Sequence, residues 1–121
     1  MSRAATGFGV VLTTAGSEEQ AATIARELVD RRLAACVNII TQVCSIYRWK
    51  GEVHQDEEKM LLIKTAEDRF PEVRDAIREL HTYDLPEVIF LPIEQADGDV
   101  LAWLENALSA SGDEGGAPRG G

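Results

Sequence analysis

Three short runs of the sequence are apolar at both odd and even positions, namely VVL at 10–12, MLLI at 60–63 and VIFL at 88–91. Successive side chains of a β-strand point to opposite faces of a sheet, so each of these strands places apolar side chains on both faces. A sheet built from them is stable only if other elements cover both faces. The number and length of the helices therefore decide whether one chain is sufficient.

The rest of the sequence alternates between strand and helix patterns. Strands are predicted at 7–15, 34–47, 52–65 and 88–93, and helices at about 17–29, 68–81 and 99–110. The order strand, helix, strand, strand, helix, strand, followed by a third helix, predicts an α+β fold of the ferredoxin-like βαββαβ type. In this sandwich an antiparallel sheet of four strands carries two helices on one face.

Caps and apolar stripes define the helices. Ser17 is the predicted N-cap of the first helix, with Gln20 at the spacing of a capping box, and Asp68 is the predicted cap of the second. The side chains expected to be buried are Ala21, Ile24, Ala25, Leu28 and Val29 in the first helix, Phe70, Val73, Ile77 and Leu80 in the second, and Val100, Leu101, Trp103, Leu104, Ala107 and Leu108 in the third.

The second and third strands are long and are joined by Lys50 and Gly51, which gives an extended hairpin. Its outer half extends beyond the short first and fourth strands, and unpaired strand edges favour association. Two helices cover one face of the sheet and the third helix is too short to cover the other, so we expect an obligate oligomer. Alternation along the second strand predicts one shared face for Val37, Ile39, Val43 and Tyr47.

Length and composition fit one soluble domain. The chain has 121 residues, of which 45% are hydrophobic and 27% charged. We expect residues 7–110 to form a single domain, residues 1–6 to be a flexible N-terminus and residues 111–121 to be a disordered tail. The absence of a long apolar run and of a signal-peptide core predicts a cytoplasmic protein without a membrane partner.

Charge and cysteine content restrict the partners further. The net charge of -9, without any basic block, argues against nucleic acid, because phosphate backbones are normally bound by clustered lysines and arginines. Cys36 and Cys44 lie eight residues apart on one predicted strand, which separates them by about 25 Å, too far for a disulfide. We expect two free thiols, in agreement with a reducing compartment.

Metal-binding side chains are few and scattered. Cys36 fits a small buried strand residue as well as a thiolate ligand, and His54, within the acidic stretch at 54–58, fits a solvated surface. A zinc site needs three or four convergent ligands at short spacings, and the sequence contains no such cluster. Folding or assembly brings together at most one thiol, one imidazole and some carboxylates, a set suited to weak copper or zinc binding.

A second group of polar side chains lies in the connector HTYDLPE and consists of His81, Tyr83, Asp84 and Glu87. Two interpretations are open: a functional cluster on a loop, or a histidine that stabilises a helix C-terminus with the tyrosine packed beside it. No nucleophile or phosphate-binding loop accompanies the group, so no enzyme class is indicated. Tyr47 and Trp49, near the hairpin turn, are expected to pack on a neighbouring subunit.

Five stretches of the sequence together resemble the CutA divalent-cation-tolerance family: ELVDRRLAACVNI, SIYRWKGEV, MLLIKT, HTYDLPEVIFLPI and DVLAWL. The resemblance extends over residues 8–108. It implies a homotrimer of ferredoxin-like subunits, similar in build to the nitrogen-regulatory PII proteins, with extended hairpins joining the subunits. The family is named for metal tolerance, and the resemblance implies weak binding of copper or another divalent cation.

The resemblance also implies site residues. The metal-binding candidates are Cys36 and His81, and the candidates for a cleft between subunits are Tyr47, Trp49, Glu58, Lys64, Tyr83 and Glu87. The chain departs from the family pattern at Ala15-Gly16, where the family often has T-T-X-P, at Thr82, within the usual H-P-Y, and at Val100, a frequent tyrosine. Only Cys36 matches a thiol implicated in other members, which argues against copper binding through several sulfurs.

The expected function is a cytoplasmic, non-enzymatic homotrimer linked to divalent-metal tolerance. The alternative is a PII-like sensor that binds a small molecule in the cleft between subunits. A hydrolase of the acylphosphatase type, which shares the fold, is disfavoured because TTAGSEEQ places two glutamates where an anion-binding loop needs a basic residue.

Overall fold

The computed structural model describes residues 5–110. Its elements are β1 (Phe8–Ala15), α1 (Glu18–Asp30), β2 (Cys36–Trp49), β3 (Glu52–Ala66), α2 (Phe70–Leu80), β4 (Ile89–Pro92) and α3 (Gly98–Leu108), with a 3-10 turn at Glu67–Arg69 before α2. This order confirms the predicted succession of strands and helices. The predicted tail at 111–121 and residues 1–4 of the predicted N-terminal segment lie outside the described residues. Thr6, from the same segment, donates to the carbonyl oxygen of Ile93 over 2.7 Å.

The four strands of this range form one antiparallel sheet in the order β2-β3-β1-β4. β1 pairs with β3 on one side and with β4 on the other. Together with α1 and α2 on one face, this sheet confirms the predicted α+β sandwich. None of the helices in the described range is long and apolar enough to cross a membrane.

The hairpin of β2 and β3 extends well beyond the rest of the sheet. β1 pairs with β3 only from Lys59 to Ala66, so residues 43–58 form a two-stranded projection, called the hairpin arm. Lys50 and Gly51 form its turn with φ angles of 52° and 84°. Positive φ at both positions is typical of a type I′ turn, whose twist matches that of the flanking strands. The predicted turn is therefore confirmed.

β2 contains a bulge between Ile40 and Val43, where its register with β3 shifts by one residue. Two residues of β2 lie opposite one residue of β3 at this point, which reverses the alternation of side chains beyond it. Val37 and Ile39 pack against the core, whereas Val43 and Tyr47 lie on the opposite side of the sheet. The prediction that these four residues share one face was wrong because alternation assumes an uninterrupted strand.

One face of the sheet, called the covered face, packs against α1 and α2 and forms the core. Ser17 caps α1 by accepting the amide hydrogen of Gln20 over 3.1 Å, as predicted. Burying a side chain the size of valine, leucine or isoleucine stabilises a fold by about 1.5–3 kcal/mol. The fully buried side chains at the centre are Val11, Leu61 and Ile63 from the sheet, Ile24 and Leu28 from α1, and Val73 and Ile77 from α2.

Two details of the helices differ from the predictions. Asp68 does not cap α2, because residues Glu67–Arg69 form a 3-10 turn and α2 begins at Phe70 without a side-chain cap. Pro71 lies in the first turn of α2, where a missing amide hydrogen costs no helical bond. Val29 and Val100, predicted to be buried, are exposed because each lies beside the narrow stripe that its helix buries.

The opposite face of the sheet, called the open face, is incompletely covered. Its apolar side chains are Val10, Leu12, Ile40, Met60, Leu62, Ile89 and Leu91. Of these, Ile40, Ile89 and Leu91 are 46%, 45% and 46% exposed. α3 contacts β3, and its buried Leu104 and Leu108 do not belong to the core beneath α1 and α2. A single chain thus leaves apolar surface on this face, as the sequence pattern indicates.

Candidate functional site on the open face

His81 ends α2 and ties the following connector to the first strand. Its Nε2 lies 2.6 Å from the carbonyl oxygen of Thr14, and its Nδ1 accepts the amide hydrogen of Tyr83 over 3.1 Å. Because a carbonyl oxygen can only accept, we assign the hydrogen to Nε2 and the lone pair to Nδ1. Both ring nitrogens of His81 are therefore engaged within the chain.

Tyr83 connects this histidine to a buried carboxylate. Its hydroxyl donates to Oε2 of Glu58 over 2.7 Å, and its ring packs against the His81 ring with the centroids 4.4 Å apart. Glu58 is only 7% exposed. Burial, followed by the hydrogen bond to Glu58, raises the pKa of Tyr83 above its ordinary value. The phenol therefore stays protonated and continues to donate.

Two residues outside the connector hold it in place. Gly16, after β1, gives Tyr83 room, because a Cβ atom at this position would lie 3.1 Å from the Tyr83 hydroxyl oxygen. Gln20 donates from Nε2 to the carbonyl oxygen of Leu80 over 3.2 Å and accepts the amide hydrogen of Thr82 over 3.1 Å. The sequence indicates only a capping-box role for Gln20. Its side chain joins α1 to the end of α2, a contact between distant segments that no local pattern signals.

A second group of a tyrosine, a histidine and a carboxylate lies on the hairpin arm. The Tyr47 hydroxyl donates to Oδ2 of Asp56, and the Tyr47 ring stacks on His54 with the centroids 5.4 Å apart. The hydrogen bond to Asp56 raises the pKa of Tyr47, so this phenol is protonated as well. Asp56 and His54 were expected only in a solvated surface. Their spacing from Glu58 by two and four residues is the signal that places all three on one side of β3.

The two groups adjoin and form one site, called the tyrosine–carboxylate site, which consists of Tyr47, Asp56, Glu58, His81 and Tyr83. Each carboxylate raises the pKa of both tyrosines, so the four groups share one electrostatic environment. The site continues the open face, because Glu58, Met60 and Leu62 follow one another at every second position of β3. Two carboxylates and two protonated phenols thus lie at one end of an apolar surface.

The other residues predicted for a cleft lie apart from this site. Trp49 is exposed near the hairpin turn, with the Lys50 ammonium 5.8 Å from the centre of its ring. Glu87 is exposed near the end of the connector. Lys64 is half-buried on the open face, six residues from Glu58 towards the other end of β3. The structure therefore brings together Tyr47, Glu58 and Tyr83 from the predicted set.

The two predicted metal ligands lie at different ends of the open face. Cys36 pairs with Lys64 in the sheet, whereas His81 contacts Thr14, whose partner in β3 is Met60. Four residues of strand separate these two positions on β3, which corresponds to about 13 Å. Cys36 and His81 of one chain do not converge on a common point.

Cys36 has few co-ligands nearby in its own chain. Its half-buried thiol lies 3.7 Å from Oδ1 of Asn38, and Cys44 on the same strand is exposed; both cysteines are free thiols. Within residues 5–110, no group of three or more His, Cys, Asp or Glu side chains is arranged to hold a metal ion. The donor set of one chain therefore does not fit a tightly held resident metal.

Comparison with known sequences gives a consistent assignment. The family model of the CutA1 divalent ion tolerance protein matches residues 9–107. The divalent-cation tolerance protein CutA of Thermus thermophilus is 50% identical over 95 residues, which cover 78% of this chain and 92% of that protein. Protein CutA of Homo sapiens is 42% identical over 100 residues, which cover 83% of this chain and 56% of the human protein. The chain thus spans most of the bacterial relative and little more than half of the human one.

Solved structures share the fold. The divalent cation tolerance protein of Thermus thermophilus superimposes with a TM-score of 0.78 at 49% identity and covers 80% of this chain and 94% of its own. The periplasmic divalent cation tolerance protein CutA of Archaeoglobus fulgidus gives a TM-score of 0.82 at 33% identity and covers 84% of this chain and 99% of its own. In sequence and in fold, this chain belongs to the CutA1 divalent ion tolerance family.

Proposed function

We propose that this protein acts in divalent-cation tolerance as a cytoplasmic homotrimer that binds copper or another divalent cation weakly and catalyses no reaction. The observation that carries the proposal is the match of residues 9–107 to a family whose description names divalent ions. The donor groups of the open face support weak cation binding, and the exposed apolar surface beside them supports the homotrimer.

The donor groups favour weak and exchangeable binding. His81 could coordinate a metal through Nδ1 only by giving up the hydrogen bond from the Tyr83 amide. Cys36 offers one soft ligand, and Glu58 with Asp56 offers hard oxygen ligands at the other end of the face. Each end supplies fewer than the three or four protein ligands of a tight site. A cation bound here would exchange readily with solvent, which suits tolerance better than catalysis.

The uncovered sheet supports the homotrimer. The open face exposes apolar side chains, and β2 and β4 are the two edges of the sheet within the described residues. Such surfaces and edges favour non-specific association unless another element covers them. A neighbouring copy that covers the open face and extends the sheet removes both the exposed apolar surface and an unpaired strand edge. It also brings a second set of donor groups close to the first.

Isothermal titration of the purified protein with Cu²⁺ and with Zn²⁺ tests the binding step. We expect saturable heat in the micromolar to millimolar range, and a weaker copper signal in Cys36→Ser. Cys44→Ser is the matched control, because it removes the exposed thiol of the same strand. If neither metal produces heat up to millimolar concentration, direct cation binding is abandoned.

Sedimentation equilibrium tests the assembly. A homotrimer has three times the mass of the 13.2 kDa chain. A folded species of one chain mass at micromolar concentration would contradict the proposal.

The alternative of a small-molecule sensor has less support. The family description and the name of the Thermus relative both refer to divalent ions and neither refers to a small molecule. Thermal-shift measurements with nucleotides and metabolites in the presence of a chelator separate the two functions. Strong stabilisation without metal would favour the sensor.

A further inference from the structure

Glu58 is a buried carboxylate without a cationic partner in its own chain. It is 7% exposed, and its hydrogen bond comes from the Tyr83 hydroxyl to Oε2. None of the ion pairs within residues 5–110 involves it. Removing a carboxylate from water is costly unless a positive charge and hydrogen bonds compensate for the lost solvation. Oε1 of Glu58 keeps contact with solvent in the single chain and can accept a hydrogen bond from a cation that this chain does not supply.

Lys64 is the complementary group on the same face. It is the only lysine or arginine that the described strands direct to the open face, because Arg48 and Lys59 alternate to the other side. It makes no ion pair within the described residues. Six residues of strand separate it from Glu58, a distance of about 20 Å, which exceeds both side-chain reach and the screening length of about 8 Å at physiological salt.

The surface between the two charges is apolar. Met60 and Leu62 lie between them on β3, beside the exposed Ile40 of β2. A face that is negative at one end, apolar in the middle and positive at the other end is complementary to a copy of itself displaced along the strand. In the proposed homotrimer each interface joins two different patches, so the two ends of one face would meet different neighbours, whereas in a two-fold dimer both ends would meet the same neighbour.

We propose that, in the homotrimer, the partner subunit's Lys64 forms an ion pair with Glu58 and completes the tyrosine–carboxylate site. The ammonium group donates to Oε1 of Glu58, which accepts no hydrogen bond within the described residues, while Tyr83 holds Oε2. This inference rests on the proposed homotrimer and adds to it the residue that neutralises each site. A divalent cation that binds at Glu58 then competes with this lysine, which would keep its affinity low.

A double-mutant cycle tests the ion pair. Glu58→Gln keeps the shape of the side chain and still accepts from Tyr83, and Lys64→Gln removes the ammonium group. Lys59→Gln is the matched control, because this lysine lies on the other side of the same strand. The trimer dissociation constant is measured by sedimentation in a urea concentration that permits dissociation, because urea is uncharged and does not screen the ion pair. We expect Lys64→Gln to raise this constant about tenfold or more in the wild-type background, and about twofold or less in the Glu58→Gln background.

The double-mutant cycle distinguishes failure of the proposed ion pair from failure of the proposed homotrimer. Within one chain the two residues are too far apart to interact, so any coupling between them arises from contact between subunits. A stable trimer in which the two substitutions are additive overturns the ion pair and leaves the homotrimer standing, whereas a monomeric wild-type protein overturns both. If added Cu²⁺ or Mg²⁺ strengthens the wild-type trimer but not the Glu58→Gln trimer, and Lys64→Gln has no effect, a metal ion takes the place assigned to the lysine and the inference fails.

Crosslinking provides a second measurement that needs no variant. A carbodiimide joins a carboxylate and an amine in direct contact through an amide bond, and the water lost converts the carbodiimide into a urea. Trimers are assembled from equal amounts of isotope-labelled and unlabelled chains and then digested. Recovery of a peptide in which Glu58 of one isotope is joined to Lys64 of the other supports the pair. Recovery of Lys64 joined to a different carboxylate overturns it.

Discussion

The two faces of the sheet are formed by alternate residues of the same strands, yet they have opposite properties. On the covered face, Leu61 and Ile63 are fully buried in an apolar core that α1 and α2 close. On the open face, their neighbours along β3 are half-buried, and Glu58 and Lys64 lie at the two ends. The covered face therefore secures the fold of the single chain, whereas the open face is available for contacts between molecules and for ligands.

The largest expected effect comes from shortening a side chain on the covered face. Leu61→Ala is expected to lower the free energy of unfolding by about 2–5 kcal/mol, because it leaves a cavity in a closely packed core. Leu91→Ala, on the open face, is expected to cost much less within a subunit because Leu91 is already 46% exposed. Guanidinium denaturation measures both variants. Equal losses that do not depend on protein concentration would remove the distinction between the two faces.

The next effect concerns the hydrogen bond to the buried carboxylate. Tyr83→Phe leaves Glu58 without its donor and is expected to lower the free energy of unfolding by about 1–3 kcal/mol. Tyr47→Phe is the matched control, because it removes the same kind of bond from the exposed Asp56, where water can replace it. Thermal denaturation of the two variants compares them. A larger loss for Tyr47→Phe would show that burial of Glu58 is not what makes its hydrogen bond important.

Substitutions of two threonines on the covered face are expected to change the free energy of unfolding by smaller amounts and in opposite directions. Both are fully buried, but the Thr65 hydroxyl donates to the carbonyl oxygen of Leu33 over 2.6 Å, whereas the Thr13 hydroxyl has no partner within the described residues. Thr13→Val is expected to raise the free energy of unfolding by about 1 kcal/mol, and Thr65→Val to lower it by about 1–2 kcal/mol. Urea denaturation measures both. A destabilised Thr13→Val would indicate that the Thr13 hydroxyl is bonded in solution.

The smallest effect appears only at alkaline pH. The pKa of Tyr83 is raised in the folded protein by burial and by Glu58, whereas in the unfolded chain it is about 10. Above pH about 10 the unfolded state loses this proton while the folded state keeps it, so the contribution to stability, complete at lower pH, declines as the pH rises towards the folded-state pKa. Denaturation between neutral and alkaline pH is expected to show a steeper decline for the wild type than for Tyr83→Phe. Parallel profiles would contradict this role.

The features of the fold that could be predicted depend mostly on signals between residues that are close in the sequence. Ser17 followed by two glutamates, the Lys50-Gly51 turn and the apolar run at 60–63 each determine structure within a few neighbouring residues, and each is confirmed. The need for cover on both faces also follows from alternation alone. These features depend on backbone geometry and burial, which a single sequence displays.

The features that could not be predicted depend on contacts between distant segments. Arg69 donates to the carbonyl oxygens of Arg32 and Leu108, and Arg32 donates to that of Ala107, so two arginines satisfy the end of α3. No pattern near these residues signals the contact, because it exists only after the chain has folded. The carboxylate partners of Tyr47 and Tyr83 were missed as pairs for the same reason. The role of Cys36 and His81 in metal binding stays a prediction.

The bulge in β2 has a consequence for how the outer arm tolerates changes in length. The bulge shifts the alternation of side chains by one residue. Tyr47 therefore lies on the side of Asp56, and Ile46 lies on the opposite side of the hairpin arm. Deleting one of the two residues between Ile40 and Val43 would leave a single residue opposite Lys59, so the ladder would become regular and Tyr47 would stay on the side of Asp56. The bulge thus absorbs one extra residue of β2, and a one-residue gap at this point is expected to leave the two sides of the hairpin arm as they are.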